Sequence, residues 1–142
     1  MPVRDLTPLG HQRRQDELSQ IVRARIVETA AWLAREKLAP RAARYDRDAA
    51  DPVDSWRDLH ADGILAAAIP VAHGGLGLDM TAYVDVIRTL AQGCASTAMT
   101  LHMHSTVMRF IDALGTEAQK RRWFAEVVGG GKLSARGVAS RR

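Results

Sequence analysis

Between Ala98 and Leu114 the chain is nearly all apolar at helical spacing, carrying Met99, Leu101, Met103, Val107, Met108 and Ile111. A helix apolar around most of its circumference needs neighbours on most sides, so this segment is expected at the centre of a helical assembly. It is not a membrane span. The longest apolar run, Ile64 to Ala72, is interrupted by Pro70 and falls far short of the roughly 20 residues that cross a bilayer.

The remaining segments read as the neighbours this helix needs. Leu18, Val22, Ile26, Ala30 and Leu33 share one helical face, with Arg23, Arg25, Glu28, Arg35 and Glu36 off it or at its edge. Pro40 lacks the N–H that a regular helix requires, which predicts an end or a kink near Ala39. Asp51-Pro52 reads as an N-cap followed by proline at the first helical position. The helix it opens has Val53, Trp56 and Leu59 as its buried stripe and Gly63 as its stop. The run Ile64 to Ile69 is too short for periodicity to decide between strand and buried turn.

His73-Gly74-Gly75-Leu76-Gly77 is a loop, after which Asp79 caps a helix whose apolar face is Met80, Tyr83, Val84, Ile87, Leu90 and Ala91, closed by Gly93. Gly115 stops the central helix, and Thr116-Glu117-Ala118-Gln119 is a capping box for the next. Trp123, Phe124, Val127 and Val128 form its inner face, and Gly129-Gly130-Gly131 end it. The fold class is all-α: an orthogonal or irregular bundle of five or six helices with at most one doubtful strand.

Length and charge narrow the function classes. At 142 residues, with 46% hydrophobic and 25% charged, the chain is one ordinary globular domain. Lys plus Arg number 20 against 16 Asp plus Glu, a net charge of +4. The basic groups Lys120-Arg121-Arg122, Arg35, Arg41, Arg44 and Arg47 are interleaved with Glu36, Asp46, Asp48 and Asp51, so no nucleic-acid partner is expected. A polar N-terminus without a following apolar stretch is no secretory signal, and a single cysteine, Cys94, rules out an internal disulfide. Both point to a cytoplasmic protein.

Candidate chemistry is sparse. Gly75-Leu76-Gly77 begins a dinucleotide fingerprint, but residue 80, where the third glycine belongs, is Met80, so the glycines are read as turn residues. His102 and His104, two apart on a helix, point to nearly opposite sides, and His60 and His73 do not complete a set, so no metal is expected. Asp85 and Asp112 each have an arginine three residues away, Arg88 and Arg109, and are read as surface pairs. Cys94 has no partner arrangement for a nucleophile and is read as a small buried side chain.

Other blocks are informative through their order. An amphipathic helix runs into Leu38-Ala39-Pro40 and Asp46, followed by Trp56, Leu59 and Gly63-Ile64-Leu65, then Ile69-Pro70 and Gly74-Gly75-Leu76-Gly77-Leu78. Leu90-Ala91, Cys94-Ala95-Ser96-Thr97, His104 and Gly115-Thr116-Glu117-Ala118-Gln119-Lys120 complete the series. In this order and spacing, from Leu18 to Leu133, the chain resembles the N-terminal helical domain of the acyl-CoA dehydrogenase family. The resemblance implies a helical domain over residues 15–131, a flexible N-terminal segment over 1–14 and a tail over 132–142 where a β-domain begins.

It also implies a chemistry. Members bind FAD mainly between the β-domain and a C-terminal four-helix bundle. A glutamate, usually from the bundle, takes the α-proton of an acyl-CoA thioester while hydride leaves the β-carbon for the flavin. The helical domain walls the acyl-chain end of the pocket, and members are commonly homotetramers or dimers. By the family's pattern the positions facing the acyl tail are Ala98, Met99, His102 and Met103, and His102 implies a short, branched or functionalised acyl group. Tyr83 is a weaker candidate and is read as core.

The chain ends in Gly137-Val138-Ala139-Ser140-Arg141-Arg142, without the Thr-Glu-containing flavin-contacting segment of the family. No catalytic and no cofactor-binding residue is therefore assigned, and the chain is expected to be a truncated member, inactive alone and not retaining FAD. Two alternatives stay open: a flavin-dependent monooxygenase of the same fold, and a non-catalytic fragment that docks on a partner.

Overall fold

Pro40 sits inside helix rather than ending it. The computed structural model describes residues 8–132, and its first helix, α1 (Pro8–Leu33), passes through a π-turn (Ala34–Leu38) directly into α2 (Ala39–Asp48). Across that turn the Ala39 N–H bonds the Ala34 carbonyl, five residues back. One widened turn absorbs the proline, whose ring would otherwise meet the preceding carbonyl and whose missing N–H would break the ladder. The helix therefore does not end near Ala39; the irregularity expected there is a π-turn just before it.

The rest is helical too. α3 (Val53–Ala61) leads into two short 3₁₀ turns, Ile64–Ala66 and Val71–His73, followed by α4 (Met80–Gly93), α5 (Ala95–Leu114) and α6 (Glu117–Gly130). No strand occurs among the described residues, so the all-α class holds. The run Ile64 to Ile69 is a buried turn, with Ala67 and Ile69 donating to the carbonyls of Ile64 and Ala66. Residues 1–7 of the expected N-terminal segment and 133–142 of the expected tail lie outside the described residues.

Local caps follow the sequence closely. The Asp79 carboxylate accepts the Ala82 N–H at 2.8 Å, and Thr116 and Gln119 form the reciprocal capping box. Gly63 and Gly131 take left-handed conformations after α3 and α6, as the stop positions require. Asp51 departs from expectation: Pro52 occupies the cap position of α3, and no side chain caps it. Val53 at its first turn is exposed, while Trp56 and Leu59 are buried.

The core joins Leu33 and Leu38 to Leu59, the 64–69 turn, Val86 and Leu90 of α4, Leu101 and Met108 of α5, and Phe124 of α6. α4 packs on both α1 and α5, and α6 closes over the two 3₁₀ turns. The central position therefore belongs to α4. α5, expected to be surrounded, is covered on one side only: Leu101, His104, Ser105 and Met108 are buried, but Met99 is 61%, Met103 55% and Phe110 62% exposed. Hydropathy registers that both sides are apolar, not which side the neighbours cover. The apolar faces of α1 and α4 are likewise only partly used, with Leu18, Val22, Met80 and Val84 exposed.

Candidate functional site

The start of α5 is set by a close backbone approach. Gly93 ends α4, Cys94 is extended, and Ala95 begins α5. A Cβ on Gly93 would lie 2.3 Å from the Ala34 carbonyl oxygen, so only glycine lets the α4–α5 corner seat against the π-turn. Cys94 is buried at that corner. Burial pushes its thiol up, but hydrogen bonds with Ser96 and Thr97 outweigh it and the net shift is downward.

From this corner α5 presents two different sides. The four expected positions divide between them. Met99, His102 and Met103 form a contiguous exposed face, whereas Ala98 turns inward and is part of the hydrophobic core. His104, two residues beyond His102, is fully buried, and its Nε2–H donates to the Leu65 carbonyl at 3.1 Å. Burial lowers its pKa despite that hydrogen bond, so the ring is held neutral.

His102 has a partner that spacing could not reveal. The Tyr83 hydroxyl, on α4, lies 3.0 Å from His102 Nδ1, with the two rings 6.1 Å apart. The Arg109 guanidinium stands over the Tyr83 ring at 4.9 Å and reaches the Leu78 carbonyl at 3.4 Å. Burial raises the Tyr83 pKa, against the opposing pull of Ser105 and of the Arg109 charge, so the phenol keeps its proton. The sequence placed Tyr83 in the core, which is correct for its ring; its hydroxyl is what reaches the exposed face.

Two pairings read from spacing are revised by this arrangement. Arg109 turns to Tyr83 instead of Asp112, and Asp112 faces Lys120 at 4.0 Å. Asp85 holds Arg88 as expected but also Arg23 of α1, tying α1 to α4. The glycine loop is closed on its own backbone: Leu76, Gly77 and Leu78 donate their N–H groups to the carbonyls of Ala66, Ile69 and Ala67. A Cβ on Gly75 would lie 2.1 Å from the Ile69 carbonyl oxygen, which explains that glycine by packing rather than by a bound phosphate.

Two exposed thioethers beside an imidazole offer apolar area with one polar group, which suits contact with a carbon chain but provides no carboxylate base. Comparisons with known proteins bear on the family of the chain. Residues 23–131 match the family model for the acyl-CoA dehydrogenase N-terminal domain. The chain is 33% identical over 114 residues to a cyclohex-1-ene-1-carbonyl-CoA dehydrogenase of Syntrophus aciditrophicus, covering 78% of this chain and 27% of that one. It is 28% identical over 109 residues to the human mitochondrial short-chain specific acyl-CoA dehydrogenase, covering 76% and 26%. A mitochondrial isovaleryl-CoA dehydrogenase of Pongo abelii is 27% identical over 111 residues, covering 76% and 26%. The chain thus spans about a quarter of the length of these relatives. With a helical fold that carries the family's ordered blocks and a family match over most of its length, the chain belongs to the acyl-CoA dehydrogenase family, in the region of its N-terminal domain.

Proposed function

We propose that residues 15–131 form the acyl-facing wall of an FAD-dependent, acyl-CoA dehydrogenase-like oxidoreductase acting by α,β-dehydrogenation of acyl-CoA thioesters. The observation that carries the reading is the bare face of Met99, His102 and Met103, with Ala98 beneath it, on the helix where the family faces the acyl tail. Methionine side chains repack readily and accommodate flexible alkyl chains. A thioester bearing a photoreactive tail is expected to label Met99 or Met103; labelling confined to other helices would overturn the assignment.

The described residues do not fit a flavin. Their glycine loop spends its N–H groups internally, and the α5 face holds no group suited to an isoalloxazine ring. The proton-abstracting carboxylate and the flavin site are assigned to other parts of the family's architecture, because removing an α-proton requires a positioned base and an acceptor beside it. These 142 residues by themselves are expected to be inactive. Incubated with FAD, a panel of acyl-CoAs and an artificial electron acceptor, they should reduce no acceptor and retain no flavin, and turnover would refute this.

The exposed stripe of Met99, Met103, Phe110 and Leu114 favours cover by further protein, either the family's other domains or a second subunit of a homo-oligomer. Cytoplasmic placement rests on cysteine usage, and no described helix is long and apolar enough to cross a membrane.

A further inference from the structure

A neutral imidazole carries one proton, and the hydrogen bond made by one ring nitrogen decides which nitrogen holds it. At His102 that bond is the one to Tyr83, at Nδ1. A phenol O–H is a stronger donor than an imidazole N–H, and a ring nitrogen is a stronger acceptor than a phenol oxygen. The favoured arrangement is Tyr83 Oη–H donating to His102 Nδ1, which leaves the His102 proton on Nε2. Tyr83 is well placed as that donor, since its ring is buried, Arg109 lies over it, and its raised pKa keeps the hydroxyl protonated.

The two ring nitrogens flank one carbon, and their hydrogen-bonding directions diverge. With Nδ1 bonded to Tyr83, Nε2 of this exposed residue points away from that hydroxyl and has no hydrogen bond among the described residues. His102 shares its exposed helical face with Met99 and Met103. A chain laid across this face meets apolar sulfur-bearing groups and then one oriented N–H donor.

We propose that Tyr83 sets His102 as a hydrogen-bond donor in the acyl-facing wall, so that the site prefers acyl-CoA thioesters with a neutral acceptor oxygen in the tail over plain alkyl tails of equal length. The inference rests on the acyl-wall reading above. Tyr83 is a positioning residue that acts through His102. One added hydrogen bond in a partly exposed site corresponds to about tenfold in affinity.

Two measurements on the 142-residue chain test it. Nitrogen-15 spectra of labelled histidine should show His102 Nδ1 as the unprotonated nitrogen, and Tyr83→Phe should shift the population toward the other tautomer. Titrations with 4-oxopentanoyl-CoA and pentanoyl-CoA, followed at the Met99 and Met103 methyl resonances, should show the oxo thioester binding about tenfold tighter. His102→Leu, at an exposed position, should erase the difference, and His102→Gln, which retains a donor, should keep part of it. Equal binding of the two thioesters, or a proton found on Nδ1, would overturn the inference while leaving the wall reading in place. Methyl resonances unmoved by either thioester would overturn the wall reading itself.

Discussion

His102 and His104 are two residues apart on one helix and have become different chemical objects. His104 is enclosed by the core, hydrogen-bonded to the Leu65 carbonyl, and lowered in pKa by burial. His102 is exposed, oriented by one hydroxyl, and flanked by bare methionines. Residue type is thus a poor guide to role; the neighbours each side of α5 meets decide it. The inner side contributes to stability, and the outer side is available for something else.

The largest effect that comparison predicts is at Leu101, fully buried on the inner side. Leu101→Ala should cost about 2–5 kcal/mol, as large-to-small changes in a packed core do, read from urea unfolding. A loss below about 0.5 kcal/mol, the size expected at an ordinary surface site, would mean that the two sides are energetically alike. Next is Gly93→Ala, which puts a Cβ against backbone rather than a yielding side chain. It should cost about 1–3 kcal/mol through overpacking, and an unchanged Tm would show that α5 is not seated on the π-turn.

What could be read from the residues alone divides along a physical line. Asp79, the Thr116–Gln119 box and the glycine stops are interactions between a side chain and backbone a few residues away, so adjacent letters specify them. The all-α class follows from the same local signals. Pro40 misleads because a π-turn depends on what packs behind it, and Asp51 because a capping residue type does not ensure capping geometry. The candidate face was legible only through its family resemblance, and only for α5. Tyr83 and Arg109 join His102 across 19 and 7 positions of sequence because α4 and α5 pack together, a fact of tertiary seating that no spacing rule encodes. Apolar character marked both sides of α5 without marking which would be bare.

The pH response sharpens the inner side of the comparison. His104 has a folded pKa below its ordinary 6.5. Above that value both folded and unfolded chains hold it neutral, and its contribution is constant. As pH falls below about 6.5 the unfolded chain takes up a proton that the buried ring resists, so stability drops by at most about 1.4 kcal/mol per pH unit until the folded pKa is reached. Urea midpoints at pH 8, 6 and 5 should fall more steeply for the wild type than for His104→Gln. Parallel curves would show that His104 is not the group resisting protonation.

The smallest effect is expected on the outer side, and it decides whether that side is free. Met99 and Met103 are more than half exposed, so their alanine variants remove little area that folding takes from water. The double variant should change stability by less than about 0.5 kcal/mol at low protein concentration. If the face also meets a second copy of the chain, mass action makes the wild-type Tm rise with protein concentration, and the double variant loses that dependence. A concentration-independent Tm in both proteins leaves the face bare in solution, available to a thioester tail or another domain. A large loss in the double variant at every concentration would instead make these methionines part of the core, and the distinction between the two sides of α5 would collapse.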